Sequence, residues 1–515
     1  METNCWKNKL LIFDKRISAF INGYRQNITL IGDDDEEISY LLDNYLRDNN
    51  KSNICYLRIN ASFTDQKWFF KNSALALLSS FLNKTASLDD LINESAEKLP
   101  LTTSLIRKIL HKNSPTFSDM LELINIFIKE TEKRCVLIIE NFIAIKSLFS
   151  DAVESFTKFI IVQRDCMAVL TTTQRKEAEK SLSSELNLLF GNFEKIYLNE
   201  RSFIDNYLYL KSVMTPQLSS PFVNSFFVNI LGNNILYHNL IADEIKKTTS
   251  TNEDEIILTT LTSCLFKRQT YFFQKFLKRI DAIDKTLKVS WPSIKILLSL
   301  SDGYLRKNEL SSLRICDLKN LNSRLAKLCD LDYVTNYGNI YKIKDPLFSF
   351  WLKHAFKLCQ YQPFLKDKLW QKNICEEIDN FKENFRKDKI EKVVELIACF
   401  NGDCLKMGKT SYRLPQSTTT KLISYPKDRM HLIVGEGKEL MFIGIKEKDT
   451  KDSDIFKFIE KGSGIKGRKI NKIFIALDQF PHSARLAAKR HKLTAWDVNE
   501  VNDLMRIYNK PVVSL

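Results

Sequence analysis

Residues 28–42 run Ile28-Thr29-Leu30-Ile31-Gly32-Asp33-Asp34-Asp35-Glu36-Glu37-Ile38-Ser39-Tyr40-Leu41-Leu42, and the rest of the chain is read outward from them. A short β-rich apolar run predicts a buried strand, and the glycine after it opens a turn into a helix. The spacing is that of the phosphate-cradling pattern G-x-x-x-x-G-K-[ST]. Gly32 stands at the first glycine of that pattern and Ser39 at its hydroxyl position. Glu37 and Ile38 stand where the second glycine and the lysine belong, and Asp33 to Glu37 are all acids. A phosphate cradle needs inward-pointing N–H groups, positive potential and a lysine. This loop offers the opposite charge. Acids at an exposed helix N-terminus contribute ~0.3–1 kcal/mol each through the macrodipole, so the segment can fold well while rejecting phosphate.

Further strands are expected at Ile54–Ile59, Val136–Ile139, Met167–Thr171 and Phe193–Leu198, each separated by helix-length segments. That alternation predicts parallel strands in an α/β sheet. Residues 201–285 lose the strand signal and show Phe, Leu and Ile stripes at helical spacing. Residues 286–350 read as three short helices followed by two strands around Asn336-Tyr337-Gly338-Asn339. Residues 351–385 are amphipathic and helical, and residues 386–515 return to mixed α/β character. The expected division is therefore 1–200, 201–285, 286–350, 351–385 and 386–515.

At 515 residues, with 44% hydrophobic and 27% charged residues, the chain can build several cores. No apolar run is long enough to span a membrane, and the start has no signal-peptide pattern, so a cytoplasmic protein is expected. The 11 cysteines are scattered without a C-x-x-C, and the histidines lack metal-ligand spacing, which favours buried thiols over disulfides or zinc. The net charge of +15 is compatible with a nucleic-acid partner and equally with a lysine-rich composition that has no such role. Residues 461–492 are more one-sided: Lys461, Lys466, Arg468, Lys469, Lys472, Arg485, Lys489, Arg490 and Lys492 face a single acid, Asp478.

Four further motifs accompany the loop, one before it and three after it. Phe13-Asp14-Lys15-Arg16 is expected to start a helix ahead of the first strand. Val136-Leu137-Ile138-Ile139-Glu140-Asn141 is a hydrophobic strand ending in an acid and an amide. Thr171-Thr172-Thr173 closes a later strand, and Gly232-Asn233-Asn234-Ile235-Leu236-Tyr237 opens a later helix. Together these resemble the archaeal and prokaryotic ATPases of the AAA+/STAND clade. The resemblance implies a P-loop-type parallel sheet, a helical lid and a winged helix. It also implies nucleotide-site positions at Gly32, Ser39, Glu140 and Thr172. Asn141 stands where that family has its catalytic acid, and an amide cannot take a proton from water at neutral pH.

Within 317–330, Leu318, Leu321, Leu325 and Leu328 are expected on one helix face, with Lys319, Asn322, Ser323 and Lys327 opposite. Asp345-Pro346-Leu347-Phe348-Ser349-Phe350-Trp351 resembles the segment that follows the winged helix in the same family. If this helix reads DNA, those four polar residues enter the major groove and Lys342 lies near a phosphate. The alternative is a packing module with an ordinary solvated face. The C-terminal segment resembles the restriction-endonuclease-like domain of the same family, whose core needs an Asp on one strand and Glu-x-Lys on the next to hold magnesium and activate water. Here His431 falls at the Asp position and Gly444-Ile445-Lys446 replaces Glu-x-Lys, so cleavage is not expected. Lys466, Arg468 and Lys469 are the candidate DNA contacts there, against the alternative of a scaffold domain with a basic surface.

The expectation is an α/β multidomain protein with no catalytic residues, no metal and no required cofactor. It would engage DNA or a protein without nucleotide turnover. Two alternatives stay open: weak ATP/magnesium binding through Gly32, Ser39 and backbone amides as a switch, and a scaffold role beside a homologous active ATPase or a second copy.

Overall fold

A computed structural model describes residues 5–48, 54–62, 65–175, 193–198, 201–286, 291–357, 368–407, 410–416, 419–436, 440–463, 470–478 and 480–513. The chain divides into two compact units: Met1–Arg201 with Asn233–Leu236, and Ser202–Gly232 with Tyr237–Leu515.

The first unit is built on strands β1 (Asn27–Ile31), β2 (Ile54–Asn60), β3 (Arg134–Glu140), β4 (Cys166–Thr172) and β5 (Phe193–Tyr197), in the spatial order β2-β3-β4-β1-β5. Every pairing is parallel. β1 and β4 are buried along their whole length, which is why they read as continuous apolar runs rather than alternating ones. Helices fill the crossovers, and Phe69, Phe117, Phe127, Phe149 and Phe156 pack with β2, β3 and β4 in the core. Cys55, Cys135 and Cys166 occupy matched positions on β2, β3 and β4 as buried free thiols. Phe13–Arg16 lies in the middle of the helix Cys5–Ile21, not at its start. Phe13 is buried there, and Asp14 accepts a 2.9 Å hydrogen bond from Tyr45 Oη.

The second unit begins with helices such as Phe203–Val213, Pro221–Leu231 and Tyr271–Thr286. It continues through the helix Trp291–Leu300, strand β6 (Leu305–Arg306), and the helices Lys307–Ser312 and Leu318–Asp330. The hairpin β7 (Val334–Asn336) and β8 (Ile340–Ile343) then completes a sheet of order β6-β8-β7. Asp317 caps the helix Leu318–Asp330 by accepting from Asn320 N at 2.8 Å. Leu321, Leu325 and Leu328 are buried, whereas Leu318 is 62% exposed. At the first helical residue the chain is still leaving its cap, so the i, i+3 spacing overstates its share of the buried face. Asp345 caps the helix Pro346–Trp351 through Leu347 N and Phe348 N.

After the helices Lys368–Arg386 and Lys389–Ala398 come the pair β9 (Cys404–Met407) and β10 (Thr410–Arg413). A mixed sheet follows, of order β11 (Thr419–Tyr425), β12 (Met430–Glu436), β13 (Leu440–Lys446), β14 (Ile470–Ala476), β15 (Thr494–Trp496). Its first two pairings are antiparallel and its last two parallel. Among the described residues, no helix is long and apolar enough to cross a membrane.

Candidate functional site

At the carboxyl end of the first sheet, β1, β3 and β4 deliver their last residues side by side, as parallel strands must. Gly32 N donates to Thr172 O at 3.1 Å. Ser39 Oγ, on the first turns of the helix Asp35–Asp48, donates to the Glu140 carboxylate. Gly32, Ser39, Glu140 and Thr172 therefore come together. Thr172 Oγ1 accepts from Gln174 N at 3.1 Å, and Asn141 Nδ2 donates to Ser62 Oγ at 3.0 Å.

The charges around this cluster are already balanced from within the chain. Arg58, on β2, donates to Glu140 Oε1 at 2.5 Å and also pairs with Asp43. Its third group, Nη2, donates to Ser39 O at 3.3 Å. The carboxylate that would hold magnesium in the resembled family is thus shared between the Ser39 hydroxyl and a guanidinium. Ile38, at the lysine position, is buried and turned back over the loop. A Cβ on Gly32 would come within 2.9 Å of it.

Of the five loop acids, Asp33, Asp35 and Glu36 are exposed and the other two are not. Asp34 and Glu37 are buried. Asp34 Oδ1 accepts from Glu36 N at 2.9 Å, capping the helix, and Asp34 Oδ2 accepts from Asn234 Nδ2 at 3.0 Å. Glu37 Oε1 accepts from Arg201 Nη2 and from Ile235 N, both at 2.8 Å. The Arg201 and Glu37 side chains are 3% and 2% exposed, so this ion pair sits in low dielectric. Burial pushes the Glu37 carboxyl up to about 7, with Arg201 and the Ile235 N–H opposing and Asp34 adding to the rise. The linear pattern flagged Glu37 and Ile38 as departures. It held no signal for Arg58 or Arg201, which lie 82 and 164 residues from Glu140 and Glu37.

These residues do not fit a magnesium nucleotide. The lysine position is a core side chain, the second-glycine position is a buried ion pair, and the acid of the metal position is salt-bridged.

In the second unit, Lys319, Asn322, Ser323 and Lys327 are all exposed on the helix Leu318–Asp330. Lys342 is not available to a phosphate. Its Nζ donates to Arg506 O, at the end of the helix Val498–Ile507, and burial beside Arg506 lowers its pKa to about 8. A lysine on helix-terminal carbonyls is a favourable arrangement in itself. The β7–β8 turn is also covered: Lys406 N donates to Tyr337 O at 3.0 Å and Asn339 N to Cys404 O at 3.3 Å. Arg306, Asn339 and Tyr508 all converge on buried Asp403.

His431, Gly444 and Lys446 do not form one constellation. His431 pairs across the sheet with Ile445, and Gly444 pairs with Leu432. Side chains alternate faces along a strand, so His431 lies on the face opposite Gly444 and Lys446. His431 Nδ1 is 3.0 Å from Ser424 Oγ, and its Nε2 is 3.4 Å from Glu447. On the other face Phe458 covers Gly444, where a Cβ would meet its ring at 2.6 Å. Lys446 Nζ is buried and donates to Asp428 O at 2.6 Å and Asp454 at 3.1 Å. Lys466, Arg468 and Lys469 lie outside the described residues. No group of three or more potential metal ligands occurs among the described residues.

No family model and no curated protein matches the chain. Among solved structures, a Walker-type ATPase of Pyrococcus abyssi aligns with 66% of this chain and 93% of its own, at 14% identity and a TM-score of 0.47. The ORC2 protein of Aeropyrum pernix aligns with 72% of this chain and 93% of its own, at 10% identity and a TM-score of 0.43. The ORC1 protein of Aeropyrum pernix, in complex with DNA, aligns with 74% of this chain and 94% of its own, at 12% identity and a TM-score of 0.37. Likeness at this level carries nothing about activity or ligand.

Proposed function

We propose that this chain is a non-catalytic relative of the P-loop ATPases of the AAA+/STAND clade, acting as a DNA- or protein-binding module without nucleotide turnover or DNA cleavage. The observation that carries the proposal is Arg58 between Glu140, Ser39 O and Asp43. A guanidinium already pairs with the carboxylate that magnesium would use, and it needs no nucleotide to complete the charge balance. The proposed layout keeps the five segments 1–200, 201–285, 286–350, 351–385 and 386–515, with 286–350 as a winged helix and 386–515 as a restriction-endonuclease-like domain that has lost its metal ligands.

DNA is the favoured partner. The face carrying Lys319, Asn322, Ser323 and Lys327 is exposed and matches the side chains that contact phosphates and base edges. The covered hairpin leaves this helix to act without its wing. A homologous protein chain is the second reading, favoured by Leu313 and Leu318, which are exposed beside the same helix.

Fluorescence anisotropy of the full chain on duplex DNA tests this across a salt series. Binding should weaken linearly in log–log form, and Lys319→Ala/Lys327→Ala should reduce the slope by roughly two phosphate contacts. Magnesium ATP should leave the curve unchanged. A curve that the double variant does not move would remove DNA from the proposal and leave the protein partner.

A further inference from the structure

Glu37 occupies a position whose surroundings are those of an oxyanion site. A buried guanidinium, Arg201, points at its carboxylate from one side, and the N–H of Ile235 at the amino end of the helix Ile235–Ile245 donates from another. A buried guanidinium needs a counter-charge and a buried N–H needs an acceptor, because either is costly to leave unmatched in low dielectric. In a phosphate-binding protein an external ligand supplies that charge. Here the chain supplies it.

We infer that Glu37 is the resident ligand of an oxyanion site, its carboxylate standing within the chain where a phosphate-class anion would stand between Arg201 and the amino end of the helix Ile235–Ile245. The inference rests on the proposed reading of the loop as closed to nucleotide. It adds that the acidic substitution at residue 37 replaces a ligand rather than merely repelling one. The same carboxylate, with Asp34 on Asn234, ties residues 234–235 to the loop at all times. That contact therefore does not depend on any anion arriving or leaving.

The test compares the full-length wild type with Glu37→Ala, Glu37→Gln and the double variant Glu37→Ala/Arg201→Met. Each is refolded and melted in inorganic phosphate and in chloride at matched ionic strength. Glu37→Ala vacates the anion position and keeps both donors, so phosphate should raise its Tm by about 3–8 °C beyond the shift shown by the wild type. Glu37→Gln keeps an oxygen in place and should shift like the wild type. The double variant lacks the guanidinium and should show no excess shift. This control removes the general stabilisation that phosphate gives any folded protein. If Glu37→Ala melts alike in both anions, or stays unfolded in phosphate as in chloride, the inference is overturned. Magnesium ATP binding by the wild type would instead overturn the proposed function. A wild type blind to ATP beside a Glu37→Ala variant blind to phosphate would sink this inference alone.

Discussion

The two five-stranded sheets each carry candidate site positions spread along the chain, and those positions come out differently in space. In the first sheet, Gly32, Ser39, Glu140 and Thr172 converge. In the second, His431 falls on the face opposite Gly444 and Lys446. Parallel strands deliver their ends to one edge whatever their exact register, so order along the chain is enough to predict that meeting. An antiparallel hairpin such as β12–β13 needs its register, because a slip of one residue moves a side chain to the other face. The sequence between His431 and Gly444 carries no local signal that fixes that register.

The two regions also differ in how their charges are satisfied, and that difference can be broken experimentally. Ile38→Lys should have the largest effect. It restores the lysine of the phosphate pattern but buries a charge where Ile38 packs on Gly32. Urea titration should show a loss of roughly 3–5 kcal/mol, and no gain in nucleotide affinity is expected.

Arg58→Ala should come next. It leaves the buried Glu140 without its guanidinium. Because Arg58 is itself only partly buried, the loss should be about 2–3 kcal/mol rather than the full cost of a deeply buried pair. A variant as stable as the wild type would mean that Arg58 does not balance Glu140.

Double-mutant cycles put the comparison itself to the test. Ser39→Ala and Arg58→Ala share Glu140 and should couple by about 0.5–3 kcal/mol, whereas His431→Ala and Lys446→Met share no partner and should couple by less than about 0.5 kcal/mol. Strong coupling in the second pair would place His431 and Lys446 in one site after all.

A pH dependence from Glu37 is also expected. Between its ordinary value of 4.5 and about 7, the native state holds a proton that the unfolded state releases. Stability from this group should therefore fall as pH rises through that window. Arg201, the Ile235 N–H and Asp34 are the groups facing it. The Tm of the wild type, measured against Glu37→Gln, should drop by a few degrees across the window, and a flat difference would show that Glu37 stays charged throughout.

Much of the fold was legible in the sequence. The five parallel strands, the three helices and hairpin of 291–343, and the later mixed sheet all carry local periodic signals. What was not legible is how the site is neutralised. Arg58 and Arg201 look like ordinary charged residues until the fold sets them against Glu140 and Glu37. Lys342 looked exposed because its partner, the carbonyl of Arg506, lies 164 residues away. Of the acids expected at an exposed helix N-terminus, Asp33, Asp35 and Glu36 are exposed, but Asp34 and Glu37 are buried, each with a donor from a distant segment.

The central claim is that the loop after β1 is completed by the chain's own charges. Isothermal titration calorimetry of the full-length wild type with ATP, with and without magnesium, addresses it most directly. The account predicts no saturable heat in either case. A saturable, magnesium-dependent isotherm would contradict it.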